Sequence, residues 1–444
     1  MKIASDLKRQ ALEIFYHALK AVDPARLVRG ALGLEDSVLK ITDKSYNLKD
    51  FSGVYALGIG KASAPMAQAL EELLGEWLKG GIVVVKEGHS FPLKKLKILE
   101  AGHPIPDKSS QDAARTALDW AEGLGEKDLV FCLISGGGSA LLCAPPEGIS
   151  LEEVRKVTSL LLASGAEIKE MNTLRKRLSL IHGGMLARAL HPAVVVNLII
   201  SDVVGNALDM VSSGPTLPDS STFKGALEIV SKYELAKGLP ERVYEYLKRG
   251  ANGEAEETPK EGSPCFFNSQ TFLIGSNMKA LEAAKEKAVD LGYNTLILGS
   301  SFTGEAREVA KVFSAVTREC RVSGNPLSMP ACLLAGGETT VTLRGNGKGG
   351  RNQEFALACA TEIEGLEGIV ILSSGTDGND GPTEVAGAIV NGTTCQRARN
   401  LGMEPRDYLI RNDSYTFFSR LGDHIITGPT RTNVMDIMLA IIGS

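Results

Sequence analysis

Short apolar runs alternate with segments of helical spacing along almost the whole chain, and this alternation constrains the fold more than any other feature. Runs such as 54–60, 129–134 and 194–200 have the length and apolar composition of buried strands. Strands that alternate with helices favour an α/β fold with largely parallel sheets flanked by helices. A chain of 444 residues also exceeds the size at which one hydrophobic core stops growing, so we expect two domains.

The domain boundary is expected where the apolar pattern weakens. Residues 237–264 are rich in Glu, Lys, Gly and Pro, which indicates a boundary or an exposed excursion. We predict an N-terminal, doubly wound (Rossmann-like) domain over residues 1–240 and a C-terminal α/β domain over residues 241–444. The run 271–274 is predicted to open the second alternation, and 339–343 is predicted to be one of its strands.

Composition excludes several classes of protein. With 43% hydrophobic and 23% charged residues the chain has the balance of a globular protein, and its net charge of -5 gives no general attraction to nucleic acid or anionic membranes. The seven cysteines lack CxxC spacing, which indicates buried, reduced thiols and no zinc site. The N-terminus has no apolar signal segment and the longest apolar runs are too short to span a bilayer, so we expect a cytoplasmic protein.

Three consecutive glycines follow the strand-like run 129–134. Glycine loses the most backbone freedom on folding, so such a loop indicates that backbone N–H groups approach a ligand without intervening Cβ atoms. The usual ligand of such a nest is an anion. The loop is therefore predicted to bind phosphate or carboxylate, and a tight strand-to-helix turn is the alternative. Its residues are Ser135, Gly136, Gly137, Gly138 and Ser139.

A second loop, GIGKAS at 58–63, brings a lysine to the start of a predicted helix. It is neither a P-loop nor a GxGxxG fingerprint, because the required glycine spacings are missing. A lysine in the first helical turn opposes the helix dipole, which favours anions there. An anion bound at Gly60 and Lys61 would remove this conflict; a solvated surface lysine is the alternative.

An acidic residue, Asp202, follows the strand-like run 194–200. An aspartate at a strand end can hold Mg²⁺, accept a proton or cap a turn. All three roles stay open for Asp202 at this point.

The helix predicted over residues 167–189 carries a local polar and basic cluster despite the acidic net charge. Its members are Asn172, Arg175, Lys176 and Arg177. The cluster predicts further contacts to an anion, and a solvated helix face is the alternative.

The second half carries a glycine-dense run, 345–350, which ends at Arg351. The guanidinium is a planar fork of donors that suits phosphate or carboxylate oxygens. We predict that the flexible run closes over a ligand, with a surface arginine as the alternative. Gly337 and Glu338 lie in a further small-residue loop just before it.

The loop 373–381 is acidic and contains Asp377. A calcium loop of the EF-hand type is excluded, because Pro382 and Ala388 stand where that motif needs glycine and glutamate. Asp377 is predicted to be a metal ligand or a base, and an Asx turn is the alternative.

The chain is rich in loops suited to phosphate and poor in signatures of a nucleophile. Its six histidines lie in no GxSxG or HExxH context. This imbalance favours phosphoryl transfer, in which the protein contributes mainly positioning, cations and metal ligation.

These loops, in this order, resemble the glycerate 2-kinase family (glycerate kinase type II), whose C-terminal part is known as the MOFRL domain. The resemblance spans nearly the whole chain. It implies ATP- and Mg²⁺-dependent phosphorylation of the 2-hydroxyl of D-glycerate, and two α/β domains with the active site in the cleft between them. The motifs that carry it are LGIGKAS, LISGGGSALL, NTLRKRLSLIHGG, SDVVGN with SSGPTLPD, GGETTV, GGRNQE, SGTDGNDGPT and ITGPTRTNVMD.

The resemblance also implies roles for individual residues. Lys61 and Arg351 match the family's basic residues for catalysis and phosphate stabilisation, and Asp377 matches an acidic active-site position. Residues 135–139 are expected to bind a nucleotide phosphate or the glycerate carboxylate. Asp202 and Asp377 are the candidates for metal ligand and base. One departure from the family pattern is Arg431 in the closing motif, where relatives often carry a smaller residue.

Two other functions stay open. A hydroxypyruvate reductase is disfavoured because GxGxxG follows no strand, and a nucleotide- or metabolite-binding regulator without catalysis is not excluded by glycine loops alone. The expected partners are D-glycerate and ATP, with no nucleic acid and no membrane. The sequence does not decide the assembly state, for which a homodimer is one expectation.

Overall fold

The computed structural model describes residues 2–443, which form helices and strands in alternation. The α-helices are α1 (Lys2–Ala21), α2 (Pro24–Ala31), α3 (Ser63–Leu74), α4 (Lys108–Ala121), α5 (Gly138–Leu141), α6 (Leu151–Ala163), α7 (Ile168–Arg177), α8 (Met185–Leu190), α9 (Phe223–Lys232), α10 (Glu241–Ala251), α11 (Asn277–Asp290), α12 (Ala306–Ser323), α13 (Arg351–Glu362), α14 (Thr394–Asn400), α15 (Pro405–Ile410) and α16 (Ser414–Leu421). Short 3-10 helices cover Leu48–Asp50, Gly75–Trp77, Val204–Asn206, Leu208–Ser213, Leu235–Lys237 and Pro264–Phe266.

The strands form three sheets. They are β1 (Leu32–Glu35), β2 (Val38–Ile41), β3 (Lys44–Asn47), β4 (Gly53–Ile59), β5 (Leu78–Lys86), β6 (Lys97–Ala101), β7 (Asp128–Ile134), β8 (Val194–Ile200), β9 (Ser269–Gly275), β10 (Asn294–Phe302), β11 (Ala331–Gly337), β12 (Ile369–Gly375), β13 (Gly387–Asn391), β14 (His424–Ile425) and β15 (Asp436–Ile442). Strands β1 to β3 make a small antiparallel sheet, and the other two sheets have six strands each.

The chain divides into two compact units. The parallel-sheet unit contains Pro24–Val203 and Ala207–Ile274, and the mixed-sheet unit contains the residues up to Asp23, Val204–Asn206 and the residues from Gly275 onward. This division differs from the predicted boundary between residues 240 and 241. The stretch predicted as a boundary or excursion includes α10, which buries Val243 and Leu247 in the helical core of the parallel-sheet unit.

The large sheet of the parallel-sheet unit has the strand order β6-β5-β4-β7-β8-β9. Strand β4 pairs in parallel with β5 and with β7, and the pairs β5–β6 and β7–β8 are also parallel. The order reverses between β4 and β7, because the chain first builds outward from β4 through β5 and β6 and then continues on its other side. Such a reversal is the point at which open α/β sheets bind ligands, beyond the carboxyl ends of the strands.

The core of this unit follows from its apolar runs. Strands β7 and β8 are buried at nearly every position, as expected for central strands of a parallel sheet. Helix α4 contributes a row of alanines to the same hydrophobic core, and it begins at a capping box in which Asp107 accepts a hydrogen bond from the Ser110 N–H at 3.0 Å. The apolar runs 129–134 and 194–200 therefore predicted the two strands β7 and β8 correctly.

The helix predicted over residues 167–189 is wrong as a single element. Helix α7 ends at Arg177 and α8 begins at Met185. Gly183 and Gly184 lie between them with φ of 62° and 84°, a left-handed conformation that a continuous helix cannot contain.

The sheet of the mixed-sheet unit has the order β10-β11-β15-β12-β13-β14. Only β10 and β11 are parallel among its described pairs; β15 runs antiparallel to both β11 and β12. The α/β class is confirmed, whereas the prediction of a largely parallel second sheet is wrong because β15, last in the chain, inserts between β11 and β12.

Two strand predictions also fail. Strand β9, predicted to open the second alternation, is the edge of the first large sheet. Residues 339–343 form no strand, and Thr340 makes only an isolated bridge to Glu305.

The seven cysteines are unpaired and six are buried, which confirms the predicted burial for those six. Burial raises the pKa of the Cys132 thiol to about 12. Between residues 2 and 443, no helix has both the length and the apolar character needed to cross a bilayer.

Candidate active site

The predicted loops after β4 and β7 meet at the point where the strand order reverses. Ile59 and Ile134 are register partners at the ends of these strands. The Lys61 N–H donates to the Gly136 carbonyl at 3.0 Å, and the Ala62 N–H donates to Ser135 Oγ at 3.0 Å. The Ser135 hydroxyl therefore joins the two loops, a structural role beside its predicted role in binding an anion.

Gly60 is needed for this close approach. Its φ is 118°, and a Cβ at this position would lie 2.3 Å from the Ser135 carbonyl oxygen. Neither the conformation nor the space allows a side chain.

A side chain at any of the three glycines of the 135–139 loop would collide with, or press closely against, neighbouring residues. A Cβ at Gly136 would lie 1.6 Å from Asp202 Oδ2, and a Cβ at Gly138 would lie 2.4 Å from Ser212 Oγ. Gly137 has a φ of 94°, and its Cβ would lie 3.2 Å from both the His103 ring and Lys61 Cγ. The loop thus brings the predicted Lys61 and Asp202 to one edge of the sheet.

A chain of polar contacts connects this loop to α7. Ser139 Oγ and Ser213 Oγ are 2.7 Å apart, and Ser213 Oγ donates to Asn172 Oδ1 at 3.3 Å. Arg175 Nη1 donates to the same Asn172 oxygen at 3.5 Å. The structure therefore brings Ser139, Asn172 and Arg175 together, and their binding of an anion stays a prediction.

The serines Ser212 and Ser213 were missed at the sequence level. Ser212 Oγ accepts from the Gly138 N–H at 2.9 Å and donates to the Ser135 carbonyl at 2.5 Å. The available signal was the Gly-Pro-Thr tripeptide at 214–216, which marks a small-residue loop directly after them.

The other two basic residues of the predicted cluster belong to the interior. Lys176 Nζ lies 3.2 Å from Asp219 Oδ1 and 3.1 Å from Asp209 Oδ2. Arg177 pairs with Asp219 and Glu257. Burial opposes ionisation of Asp219, but the two cations outweigh it and hold its pKa below the ordinary value. This network is an internal ion cluster, so neither ligand binding nor a solvated helix face describes Lys176 and Arg177.

A cavity of about 260 Å³ lies beside the 135–139 loop. Its polar lining includes His103, Ser139, Arg175, Ser179 and His182. Burial, together with the nearby charge of Lys61, lowers the pKa of His103 to about 4, and burial lowers that of His182 to about 3. Both histidines are therefore neutral near pH 7. Neither was singled out from the sequence: His182 lies within the motif NTLRKRLSLIHGG but nothing local distinguishes it there, and His103 lies in none of the quoted motifs.

In the mixed-sheet unit, Arg351 is held by carboxylates. Its Nε and Nη2 donate to Asp436 at 2.6 and 3.0 Å, and its Nη1 lies 2.9 Å from Glu338 Oε1. Asp436 is fully buried, whereas the Glu338 side chain is 44% exposed. Burial opposes the charge on Arg351, but Asp436 outweighs it and raises the pKa of the guanidinium. The structure thus brings together Arg351 and Glu338, with Gly337 beside them at the end of β11.

The N-terminus of α13 is occupied by an internal carboxylate. Asp380 accepts from the N–H groups of Asn352 and Gln353 at 3.0 and 2.9 Å and from both of their side-chain amides. A Cβ at Gly350 would lie 2.3 Å from the Asp380 carboxyl carbon. Burial raises the pKa of Asp380 to about 6, although these hydrogen bonds oppose the shift. A phosphate at this helix terminus would have to displace Asp380.

The glycine-dense run 345–350 is anchored, and not the free flap that the sequence predicted. The Gly347 N–H donates to the Arg411 carbonyl at 2.9 Å, and the Lys348 N–H donates to Asp413 Oδ1 at 3.1 Å. A Cβ at Gly345 or Gly347 would lie within 2.4 Å of residues 411–413. These glycines allow close packing of the run against that segment.

Asp377 makes the Asx turn that was the alternative interpretation, since its Oδ1 accepts from the Asn379 N–H at 3.1 Å. The side chain is partly exposed. Within residues 2–443, no group of three or more His, Cys, Asp or Glu side chains is placed to hold a metal ion.

Comparisons with known proteins cover the whole chain. The model of a domain of unknown function, DUF4147, matches residues 10–248, and the MOFRL family model matches residues 331–436. The glycerate 2-kinase of Pyrococcus horikoshii is 42% identical over 100% of this chain and 99% of its own length. The D-glycerate 2-kinase of Thermotoga maritima is 43% identical over 98% of each chain. A putative hydroxypyruvate reductase of Agrobacterium vitis is 44% identical over 87% of this chain and 86% of its own.

Solved structures give the same result. The crystal structure of a glycerate kinase from Thermotoga maritima superposes with a TM-score of 0.87 at 42% identity and covers 99% of this chain and 100% of that one. A protein of known structure from Pyrococcus horikoshii gives a TM-score of 0.85 at 42% identity, with 99% of each chain covered.

Proposed function

The chain belongs to the glycerate 2-kinase family, and we propose that it transfers the γ-phosphoryl group of ATP to the 2-hydroxyl of D-glycerate, giving 2-phosphoglycerate and ADP. The observation that carries this proposal is the meeting of Lys61, the 135–139 loop and Asp202 at the carboxyl edge of the parallel sheet, where the strand order reverses. Phosphoryl transfer needs little more from a protein than positioned charge and an oriented acceptor.

Lys61 is the cation proposed for the transferred phosphate. Its backbone is fixed by the hydrogen bond to Gly136, and its Cγ lies beside Gly137. A lysine fixed in this way supplies positive charge to phosphate oxygens without reorganisation during the reaction.

Mg²⁺ is part of the proposal because the family resemblance implies it. Mg²⁺ in phosphoryl transfer takes one or two carboxylates and completes its coordination with phosphate oxygens and water. The single carboxylate of Asp202 fits this requirement, because Gly136 leaves space for its oxygen directly against the loop. When bound, the ion neutralises charge on the phosphates. Asp202 is proposed to supply one oxygen ligand; the competing role is to accept the proton of the 2-hydroxyl.

Arg351 and Asp377 are proposed as catalytic residues of the mixed-sheet unit. Asp436 holds the Arg351 guanidinium in one orientation, and the exposed Glu338 is the partner that an incoming phosphate can replace. Asp377 keeps one carboxylate oxygen in its Asx turn and has the second for a metal or a proton. The cytoplasmic location and the homodimer stay predictions.

Phosphorus NMR tests the proposed function directly. The full-length protein is incubated with ATP, Mg²⁺ and D-glycerate, and the expected product is 2-phosphoglycerate with an equal amount of ADP. Appearance of 3-phosphoglycerate, or ADP release that does not depend on D-glycerate, would contradict the proposal.

The same preparation separates the alternatives. Oxidation of NADH by hydroxypyruvate in the absence of ATP would identify a reductase. Binding of ATP with no phosphorylated product from D-glycerate would identify a regulator. We expect neither result.

A further inference from the structure

The cavity beside the 135–139 loop combines an arginine with a neutral, buried histidine. We propose that this cavity binds the small hydroxy acid itself: Arg175 pairs with the substrate carboxylate, and His182 Nε2 accepts a hydrogen bond from the hydroxyl that is not phosphorylated. The identity of the acid rests on the proposed kinase function. The preference of the cavity for a ligand that carries both a carboxylate and a hydroxyl is argued from the cavity alone.

Arg175 is the first observation. It lines the cavity, and its one hydrogen bond in the described structure is the 3.5 Å contact to Asn172 Oδ1. Burial lowers the pKa of Arg175, and no carboxylate among the described residues offsets that effect. On the same helix, Lys176 and Arg177 each pair with Asp219. A partly desolvated cation without a counter-ion is unfavourable, so an anionic ligand is expected at Arg175.

His182 is the second observation and is independent of the first. The residue is 4% exposed, and its Nε2 is buried with no hydrogen-bond partner among the described residues. The ring interacts with the Gly138 backbone and is neutral near pH 7. A neutral imidazole that donates through one nitrogen presents a lone pair at the other. His182 Nε2 is therefore an acceptor that lacks a donor, and a ligand hydroxyl provides one.

The low pKa of His182 makes it a poor base for the reaction. A general base works best when its pKa lies near the operating pH, and about 3 is far below that. A hydrogen bond to a hydroxyl that keeps its proton is consistent with this value. For glycerate that group is the 3-hydroxyl, because the 2-hydroxyl oxygen forms the new bond to phosphorus and gives up its proton to a base or to water.

Size and lining distinguish the acid from a nucleotide. The cavity measures about 260 Å³, below the roughly 300–1,000 Å³ of pockets for drug-sized ligands. Val154, Leu178 and Cys143 contribute apolar walls, whereas the cationic lining is Arg175 alone. One planar guanidinium matches one carboxylate. The triphosphate is then left to Lys61, whose Cγ would lie 3.2 Å from a Cβ at Gly137, a residue that also lines the cavity.

Isothermal titration calorimetry of the full-length protein with three ligands tests the proposal without any variant. D-Glycerate is compared with D-lactate, which has the same configuration and lacks the 3-hydroxyl, and with D-glycerate methyl ester, which lacks the charge. We expect D-lactate to bind at least about tenfold more weakly and the ester roughly a hundredfold more weakly. Equal affinity for D-lactate overturns the role of His182, and equal affinity for the ester overturns the carboxylate assignment. Absence of measurable D-glycerate binding, with and without ADP, overturns both.

Variants then assign each contact to its residue. Arg175→Met is expected to lose roughly a hundredfold in affinity for D-glycerate but little for the ester, and Arg175→Lys to recover part of the loss because it keeps the charge without the fork. Lys169→Met, on the exposed face of the same helix, removes the same charge and is expected to bind as the wild type does. Wild-type affinity in Arg175→Met refutes the carboxylate contact.

For His182 the decisive quantity is the ratio of D-glycerate to D-lactate affinity. His182→Phe is expected to bring this ratio close to one, and His182→Gln to restore part of it, because the glutamine oxygen can accept the same hydrogen bond. An unchanged ratio in His182→Phe refutes the contact. Should a variant fail to fold, the comparison of ligands on the wild type still decides.

The binding experiments and the phosphorus NMR assay test the two proposals separately. Protein that binds D-glycerate with the expected selectivity but forms no 2-phosphoglycerate keeps the cavity proposal and refutes the kinase proposal. Protein that forms the product while Arg175→Met and His182→Phe bind like the wild type refutes the cavity proposal alone.

Discussion

Replacement of Gly136 by alanine separates a functional role of the 135–139 loop from a structural one. A Cβ at this position would lie 1.6 Å from Asp202 Oδ2, whereas contacts of real Cβ atoms below 3.0 Å are essentially never seen. The Asp202 carboxylate must therefore move by more than an ångström. Because the obstructing atom is the end of a side chain, the backbone can stay in place.

The expected magnitudes follow from this geometry. Misplacement of a catalytic group by about 1 Å can cost about 10²-fold in rate, so kcat of Gly136→Ala is expected to fall by roughly that factor. The free energy of unfolding is expected to change by less than about 1 kcal/mol, since alanine also lowers the entropy of the unfolded chain. The assay is ADP release at saturating D-glycerate and ATP, together with urea unfolding of the same preparation.

Three further variants sharpen the experiment. Gly30→Ala, on exposed α2 with no atom within 4 Å of the added Cβ, is the control and is expected to keep wild-type kcat. Asp202→Asn should lose turnover to a similar extent, and the double variant with Gly136→Ala should lose little more, because both changes act on one carboxylate. Wild-type kcat in Gly136→Ala, or fully additive losses in the double variant, would refute the reasoning.

Further predictions concern the cations and one buried acid. Lys61→Ala is expected to lower kcat by roughly a hundredfold at unchanged unfolding free energy, and unchanged ADP release would remove Lys61 from the site. Arg351→Ala is expected to lower kcat by roughly a hundredfold and also to destabilise the fold by about 3–5 kcal/mol, because it leaves Asp436 buried and unpaired. The double variant Arg351→Met, Asp436→Asn is expected to be more stable than Arg351→Ala, because no charge is left unpaired, but to turn over no faster. If denaturation and activity assays showed that the double variant recovers both stability and turnover, the role of Arg351 would be purely structural. Asp380 has a pKa of about 6 in the folded protein, compared with 3.8 for an ordinary aspartate. Ionisation of Asp380 therefore destabilises the folded state by about 3 kcal/mol. This destabilisation is absent below about pH 4, grows as the pH rises and is complete above about pH 6. The stability of the wild type relative to Asp380→Asn should therefore fall between pH 4 and pH 7 in urea titrations, and a difference independent of pH would contradict this.

The parts of the structure that depend on local patterns could be predicted from the sequence. Apolar runs identify β4, β7 and β8 because each of these strands is buried at nearly every position. The polar residues that follow those strands then lie at one edge as a consequence of parallel pairing. Lys61 and Asp202 could be placed near the 135–139 loop on this ground alone.

The direction of β15 could not be predicted in the same way. A strand buried on both faces has the same apolar composition whether its neighbours are parallel or antiparallel. Its insertion between β11 and β12 depends on contacts between distant parts of the chain. The importance of His182 is hidden for a similar reason, since it rests on burial and on an unpartnered nitrogen that only the tertiary structure shows.

A glycine-rich loop indicates that another group packs closely against its backbone, but the sequence does not identify that group. In the 345–350 run and at Gly350 the approaching groups are residues 411–413 and the Asp380 carboxylate. At Gly136 the approaching group is the Asp202 carboxylate. The same sequence signal therefore has a packing origin in one unit and lies beside the proposed site in the other.

The charges around these glycines limit where an anion can bind. Asp380 already accepts four hydrogen bonds at the start of α13, so a phosphate there would exchange one satisfied anion for another with no gain. Asp202 places negative charge against Gly136, which repels a bare phosphate from that part of the loop and favours one bridged by a cation. Arg175 has no such competitor, because no carboxylate in the described chain pairs with it. The substrate carboxylate is therefore expected at Arg175 and the phosphates at the neighbouring Lys61 and Asp202.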